Sequence, residues 1–229
     1  MASQIVAMGG GGFSMEDDRL LDDYILALTG RDRPRVGFVG TASGDHPSYI
    51  EKFHAALSDR AETSDLRLFS EPSHDPAVWF AAQDVIYVGG GSTANLLAVW
   101  RVHGLDRLAR AAYEAGTILC GVSAGAICWF QGGTTDSFGP LRALHDGVGI
   151  LEGSFTPHYD GEADRRPALR RAIEEGLPAG LAADDYAAAH FVDGQLHAAV
   201  ASREGARVYR VALGADGFTE EALATRFLA

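Results

Sequence analysis

Short apolar runs alternate with longer segments of helical periodicity along most of the chain. The runs lie at residues 5–8, 35–39, 66–69, 85–88 and 117–120. Strands that alternate with helices predict βαβ units and a mainly parallel sheet covered on both faces. We therefore predict an α/β fold whose ligands bind at the carboxyl ends of the strands. The loops at residues 9–12, 41–45 and 89–93, together with Ser123, should then open on one edge of the sheet.

The pattern changes after residue 180. Shorter apolar runs lie at residues 181–185, 188–192, 196–201 and 206–211, with turns such as Asp193-Gly194 between them. Runs this closely spaced are typical of hairpins, so we predict a C-terminal antiparallel extension of the sheet. Because no repeat, low-complexity tract or linker interrupts the sequence, residues 1–229 are predicted to form a single domain.

Composition narrows the class of protein. The chain has 229 residues, 47% of them hydrophobic, and a net charge of -12 at pH 7. An acidic chain without a basic stripe is a poor partner for nucleic acid or an anionic membrane surface. No apolar stretch reaches the roughly 18 residues of a membrane span, and the N-terminus lacks the pattern of a secretion signal. We expect a cytoplasmic protein in which Cys120 and Cys128 are reduced packing residues.

The segment at residues 117–127 carries the clearest chemical signal. An apolar strand runs directly into Gly-x-Ser-x-Gly at residues 121–125. Small residues two before and two after the serine allow the tight strand-to-helix turn of a nucleophile elbow. Ser123 is thus a candidate nucleophile, and the alternative is a serine that only caps a helix.

A serine nucleophile needs a general base and a group that orients the base. His158 follows Pro157 at the end of a short apolar segment, where a strand would deliver it to the sheet edge. Asp136, on a polar loop between Ser123 and His158, is our candidate acid. The competing acids, which lie closer to His158 in the sequence, are Glu152, Asp160 and Glu162.

An oxyanion hole needs two N–H donors aimed at the developing charge. The backbone N–H of Ala124 follows the nucleophile, and the glycine loop at residues 89–93 follows a predicted strand and precedes a helix-like segment. The same loop without a ligand would be an ordinary turn. Because the chain has no phosphate-binding loop and no zinc-binding pattern, we expect neither a cofactor nor a metal.

Three segments together resemble the peptidase E family, the aspartyl dipeptidases that are grouped with cyanophycinases. They are residues 88–96 (Val-Gly-Gly-Gly-Ser-Thr-Ala-Asn-Leu), residues 120–126 (Cys-Gly-Val-Ser-Ala-Gly-Ala) and Pro157-His158-Tyr159. The resemblance implies a flavodoxin-like three-layer sandwich, similar to class I glutamine amidotransferases, with serine in place of their cysteine. It also implies a serine exopeptidase that removes N-terminal aspartate from dipeptides, with Ser123 as nucleophile and His158 as base.

The resemblance extends to the remaining site residues. It implies that Gly90, Gly91 and Ala124 supply the oxyanion donors. Some relatives use an aspartate at the position of Asp136 and others a glutamate on a mobile loop, for which Glu162 is the reserve candidate. An aspartyl side chain calls for arginine recognition. The candidates are Arg142, Arg165, Arg166 and Arg170.

Three other functions compete with this interpretation. An ester-cleaving α/β-hydrolase shares the elbow, although its histidine usually lies near the chain end, whereas His158 follows Ser123 by 158 - 123 = 35 residues. A cyanophycinase-like peptidase would cleave β-aspartyl peptides, and a regulatory protein would keep the scaffold without the chemistry. The expected partners are small peptides, and a homodimer is the working hypothesis for the oligomeric state.

Overall fold

Strands and helices alternate through the first half of the chain, as the hydrophobic pattern predicts. The computed structural model describes residues 2–15, 19–70 and 74–229. The strands are β1 (Gln4–Met8), β2 (Arg35–Val39), β3 (Glu62–Leu66), β4 (Val85–Val88), β5 (Ile118–Val122), β6 (Phe130–Thr135), β7 (Arg142–Leu144), β8 (Leu151–Thr156), β9 (Gly180–Ala183), β10 (Ala187–Val192), β11 (Gln195–Ala201), β12 (Val208–Gly214), β13 (Gly217–Ala222) and β14 (Thr225–Phe227).

Helices connect most of the early strands. They are α1 (Leu20–Ala27), α2 (Pro47–Leu57), α3 (Pro76–Ala82), α4 (Thr93–His103), α5 (Leu105–Glu114), α6 (Ala124–Ile127) and α7 (Arg165–Glu174), with single 3-10 turns at Gly12–Ser14 and Thr41–Ser43. None of the helices in the described part of the chain has the length and apolar character needed to cross a membrane.

The described strands form two sheets, which gives a mixed α/β sandwich. The first sheet has the order β14-β11-β10-β1-β5-β4-β2-β3, and the second has the order β13-β12-β9-β8-β6-β7. In the first sheet β1, β2, β3, β4 and β5 are parallel, and β10 and β11 extend it antiparallel, as predicted. The second sheet was not predicted, and it takes β9 and β12 away from the expected extension.

Successive apolar side chains of the central strands point to opposite faces of the first sheet and form a core on each face. Ile5 and Ala7 of β1 pack on one face with helices α3 to α6, whereas Val6 and Met8 pack on the other face with α1 and α2. This period of two is what a strand covered on both sides requires. Cys120 and Cys128 are buried free thiols within these cores, as expected.

The third predicted strand is displaced. The structure places β3 at Glu62–Leu66, whereas the apolar run predicted residues 66–69. β3 is the edge strand of its sheet, so half of its surroundings are polar and its sequence, Glu-Thr-Ser-Asp-Leu, shows little apolar signal. Phe69, which suggested the later position, is 53% exposed.

The carboxyl ends of the parallel strands bring the predicted loops together. The Ser123 N–H donates to the carbonyl of Met8 at the end of β1, over 3.1 Å. The Ser92 N–H donates to the carbonyl of Ala42 over 2.8 Å, which joins the loop after β4 to the loop after β2. The prediction that these loops share one edge of the sheet is confirmed.

Candidate active site

Ser123 lies on a strained turn between β5 and α6. Its backbone has φ 55° and ψ −113°, a region that residues other than glycine rarely adopt. The flanking glycines make the turn possible, since a Cβ added at Gly121 would lie 2.2 Å from the Gly125 carbonyl oxygen, and one added at Gly125 would lie 2.2 Å from that of Val88. The motif therefore lifts the Ser123 hydroxyl above the sheet edge, where the side chain is partly accessible.

His158 reaches the same edge from the second sheet. It follows β8 after Pro157, and its N–H donates to the Gly9 carbonyl over 3.2 Å. The imidazole Nε2 lies 2.9 Å from Ser123 Oγ, which is hydrogen-bond distance. The structure thus brings together the nucleophile and the base that the sequence predicted.

The acid that contacts His158 is Asp185. Its Oδ1 lies 2.6 Å from His158 Nδ1, and both side chains are less than one fifth exposed. A carboxylate only accepts hydrogen bonds, so it keeps the proton on Nδ1 and leaves the Nε2 lone pair for the Ser123 hydroxyl. The Asp185 N–H is in turn held by Asp160 Oδ1 over 2.8 Å, which fixes the turn that carries the acid.

The acids predicted from the sequence, Asp136 and Glu162, do not take this position. Asp136 is exposed in the turn that leads from β6 into the antiparallel strand β7, where its carbonyl accepts the Gly139 N–H. The reserve candidate, Glu162, pairs with Arg165 Nε over 2.7 Å. Neither carboxylate contacts the His158 imidazole. Of the competing acids, Glu152 is exposed on β8, and Asp160 supports Asp185 instead.

The topology of the second sheet explains why Asp185 is the partner. β8 and β9 are parallel neighbours, with Thr156 opposite Ala182, so both strands end at the same edge. His158 follows the first strand by two residues, and Asp185 follows the second by two. In the sequence, the acidic pair Asp184-Asp185 ends the predicted strand at residues 181–185. This pair does not by itself point to His158, because nothing in the sequence indicates that β8 and β9 are neighbours.

Two glycines make room for the Asp185 carboxylate. A Cβ added at Gly10 would lie 2.0 Å from Asp185 Oδ1, and one added at Gly161 would lie 2.3 Å from Oδ2. Both distances are far below van der Waals contact, so any side chain at either position would displace the acid from His158.

We expect Gly10→Ala to lower kcat/KM by about 10²-fold or more, because removal of a correctly placed triad acid costs up to about 10⁴-fold. The measurement is peptide hydrolysis by the variant, by Asp185→Ala and by the double variant. If Gly10→Ala acts through the acid, the double variant should be no slower than Asp185→Ala alone. Losses that multiply instead would contradict this explanation.

The glycine loop after β4 lies beside the nucleophile. A Cβ added at Gly90 would lie 3.5 Å from Ser123 Cβ. Gly91 has φ 136°, and a Cβ there would lie 2.2 Å from the Ala42 carbonyl oxygen, so only glycine fits. The N–H groups of Gly91 and Ala124 have no acceptor within residues 2–15, 19–70 and 74–229, whereas the Gly90 N–H donates to Tyr49 Oη.

The four candidate arginines differ in their partners. Arg165 is buried and donates hydrogen bonds to Glu162 and to the Thr134 carbonyl. Arg166 pairs with Glu220, and Arg170 pairs with Glu174. Arg142 stacks on the Phe138 ring, with its guanidinium carbon 3.8 Å from the ring centroid. Among the described residues, no carboxylate forms an ion pair with Arg142.

Asp184, next to the candidate acid, has a separate structural role. Burial, reinforced by the charge of Asp160, raises the pKa of the Asp184 carboxyl to about 6. Its Oδ2 accepts hydrogen bonds from the Arg207 N–H and the Tyr209 hydroxyl, which join the turn after β9 to β12. In the described ranges, no group of three or more His, Cys, Asp or Glu side chains is arranged to hold a metal ion.

Comparison with known proteins finds peptidases among the relatives of this chain. The family model described as peptidase family S51 matches residues 5–199. The uncharacterized peptidase YgaJ of Bacillus subtilis strain 168 is 51% identical over 228 residues, 98% of this chain and 99% of the relative. Peptidase E of Streptomyces coelicolor is 28% identical over 152 residues, 62% of this chain and 61% of the relative.

Two solved structures share the fold. A peptidase from an acI-B1 actinobacterium superposes with a TM-score of 0.72 at 16% identity, covering 98% of this chain and 95% of the other. A protein from Listeria monocytogenes EGD-e, provisionally assigned as a peptidase E, gives a TM-score of 0.62 at 18% identity, covering 98% of this chain and all of the other. At these identities the likeness establishes the fold alone.

Proposed function

Because the chain belongs to peptidase family S51 and is a peptidase E-like protein, we propose that it is a serine dipeptidase that releases N-terminal aspartate. The observation that carries the proposal is the continuous hydrogen-bonded series from Ser123 Oγ through His158 to Asp185. The same three groups, in the same order of contact, form the catalytic triads of serine hydrolases.

The first half of the proposed reaction forms an acyl-enzyme. Ser123 Oγ attacks the carbonyl carbon of the aspartyl residue while His158 Nε2 takes the hydroxyl proton. The resulting oxyanion is stabilised by the N–H groups of Gly91 and Ala124, which have no acceptor in the described structure. The peptide C–N bond then breaks, and His158 gives its proton to the departing amine.

The second half releases the aspartate. Water attacks the acyl carbon, and His158 takes one of its protons. The ester bond to Ser123 Oγ breaks, His158 returns the proton to that oxygen, and free aspartate leaves. Throughout, the Asp185 carboxylate stabilises the imidazolium and fixes the ring through Nδ1. One water is consumed, and the products are aspartate and the second amino acid.

Arg142 is the best candidate to bind the aspartyl carboxylate. Its strand β7 pairs with β6, and Thr135, opposite Arg142, lies 3.4 Å from Thr93 through the side-chain hydroxyls. Ser137 Oγ also accepts the Ala94 N–H, so the hairpin packs against the start of α4, directly after the glycine loop. Because no carboxylate of the described residues pairs with it, the Arg142 guanidinium can bind a substrate carboxylate.

The substrate test compares hydrolysis of Asp-Leu with hydrolysis of Asn-Leu, which has the same shape but no charge. The proposal expects kcat/KM to favour Asp-Leu by about 10²-fold or more, since an unpaired charged site penalises the neutral substrate. Faster cleavage of β-Asp-Leu would instead establish a cyanophycinase-like preference. Hydrolysis of p-nitrophenyl butyrate without peptide cleavage would refute the dipeptidase assignment and favour an esterase.

We expect Arg142→Gln to reduce the preference for Asp-Leu over Asn-Leu by about tenfold or more, mainly through KM, because a charge-assisted hydrogen bond contributes about 1.5–3 kcal/mol. Arg170→Gln is the matched control, since Arg170 pairs with Glu174 on the surface of α7. If the preference for Asp-Leu is unchanged in Arg142→Gln, or falls equally in the control, Arg142 does not bind the aspartyl side chain.

A further inference from the structure

Tyr49 of α2 places its hydroxyl against the glycine loop beside the nucleophile. The Gly90 N–H donates to Tyr49 Oη over 3.2 Å. Gly90 itself lies between the two side chains, because a Cβ added there would be 3.5 Å from Ser123 Cβ and 3.9 Å from Tyr49 Oη. The tyrosine therefore contacts the loop on the side opposite Ser123 and has no direct role in the proton transfers.

The position of the Tyr49 ring is fixed by its packing. The ring centroid lies 5.4 Å from that of Phe13 and 5.2 Å from that of Phe38. A Cβ added at Gly89 would lie 2.8 Å from Tyr49 Cε1, so the loop backbone also packs closely on the ring. Burial raises the pKa of Tyr49, so the group at the loop is a neutral hydroxyl at physiological pH.

This contact changes which glycine can act as a donor. An N–H that already donates to a tyrosine hydroxyl is not available to a substrate oxyanion, whereas the adjacent Gly91 N–H has no acceptor in the described part of the chain. If Gly90 lost its acceptor, the loop would be free to turn that N–H toward another oxygen, since an unsatisfied backbone N–H is costly.

We propose that Tyr49 is a positioning residue: by accepting the Gly90 N–H, its hydroxyl orients the loop so that the Gly91 N–H can join that of Ala124 as an oxyanion donor. The inference rests on the proposed Ser123 chemistry and assigns the loop donor to Gly91.

Tyr49→Phe removes only the hydroxyl and keeps the aromatic packing, which makes it the appropriate test. Tyr24→Phe is the matched control, because the Tyr24 hydroxyl bonds to His190 Nδ1 instead of the glycine loop.

The main readout is the rate at which an alkyl fluorophosphonate labels Ser123. Ser123 Oγ forms a bond to phosphorus, the P–F bond breaks, fluoride leaves, and His158 takes the serine proton, so the developing charge on the phosphoryl oxygen needs the same donors. We expect Tyr49→Phe to slow labelling about tenfold, less than the 10²–10³-fold cost of losing a donor altogether. With a hydrolysed peptide, kcat should fall by a similar factor and KM should change less than about twofold.

Labelling by Tyr49→Phe at the wild-type rate would overturn the inference, as would equal losses in Tyr24→Phe or a loss expressed in KM alone. Melting temperatures of the two variants within a few degrees of the wild type show that folding is intact. The probe carries no aspartyl group, so a wild-type enzyme that is labelled but does not cleave Asp-Leu refutes the proposed substrate, while the Tyr49 comparison still decides the inference. A wild-type enzyme that is not labelled at Ser123 overturns both.

Discussion

Asp185→Asn is expected to lower kcat/KM by about 10⁴-fold, the effect of the equivalent change in a serine-protease triad. The asparagine amide can donate a hydrogen bond to His158 Nδ1, which favours the tautomer with the proton on Nε2. That nitrogen then faces Ser123 Oγ as a donor and cannot take the serine proton. Asparagine has the shape of aspartate and fits the space between Gly10 and Gly161, so the fold should be unaffected.

Asp136→Asn is the matched control for this prediction. Asp136 lies in the exposed turn between β6 and β7 and does not contact His158, so its variant should keep kcat/KM within about twofold of wild type. Steady-state hydrolysis of one peptide by both variants decides between the two acids. A large loss in Asp136→Asn with little change in Asp185→Asn would mean that the acid is the one the sequence favoured.

The two predicted residues that the structure brings into contact, Ser123 and His158, are specified locally. Ser123 is recognisable because a tight turn after a buried strand needs glycine at positions 121 and 125. His158 is recognisable because Pro157 stops a strand immediately before it. Each signal is contained in a few consecutive residues, so it does not depend on how the sheets are arranged.

Asp185 depends on long-range pairing, which the sequence did not reveal. Its location follows from the parallel pairing of β8 with β9 in the second sheet. The strands of that sheet are weakly marked, since β6 reads Phe-Gln-Gly-Gly-Thr-Thr and β8 reads Leu-Glu-Gly-Ser-Phe-Thr. Glycine and threonine interrupt the alternation of apolar and polar residues, so the pattern did not predict a second sheet.

The contact between Tyr49 and Gly90 is unpredictable for the same reason. Tyr49 lies on α2, which packs against the first sheet through apolar residues such as Ile50 and Phe53. Its neighbours in the sequence predict an ordinary amphipathic helix. Only the packing of α2 beside the glycine loop brings the Tyr49 hydroxyl to the Gly90 N–H. Ser123 and His158 are thus recognisable from local motifs, whereas the contacts of Asp185 and Tyr49 come from the tertiary fold.

Ser123→Ala should lower kcat/KM by at least about 10⁴-fold, because the attacking oxygen is lost while the binding groups and oxyanion donors remain. Hydrolysis of the preferred peptide by the purified variant is the measurement. Circular dichroism and a melting curve verify that the variant is folded. Turnover within about tenfold of wild type would show that Ser123 is not the nucleophile.

Ser123→Gly should be equally inactive but more stable than Ser123→Ala. Alanine at φ 55° and ψ −113° keeps the strain of the turn, roughly 1–3 kcal/mol, and glycine relieves it. Glycine also loses about 0.5–1 kcal/mol more conformational entropy on folding, so the free energy of unfolding should favour glycine by up to roughly 2.5 kcal/mol. Urea denaturation of the pair measures this difference.

Ser58 is the control position for this prediction. Its φ is −67°, so only the entropic penalty operates there, and alanine should be more stable than glycine. If alanine is the more stable variant at both positions, the turn at Ser123 stores no strain.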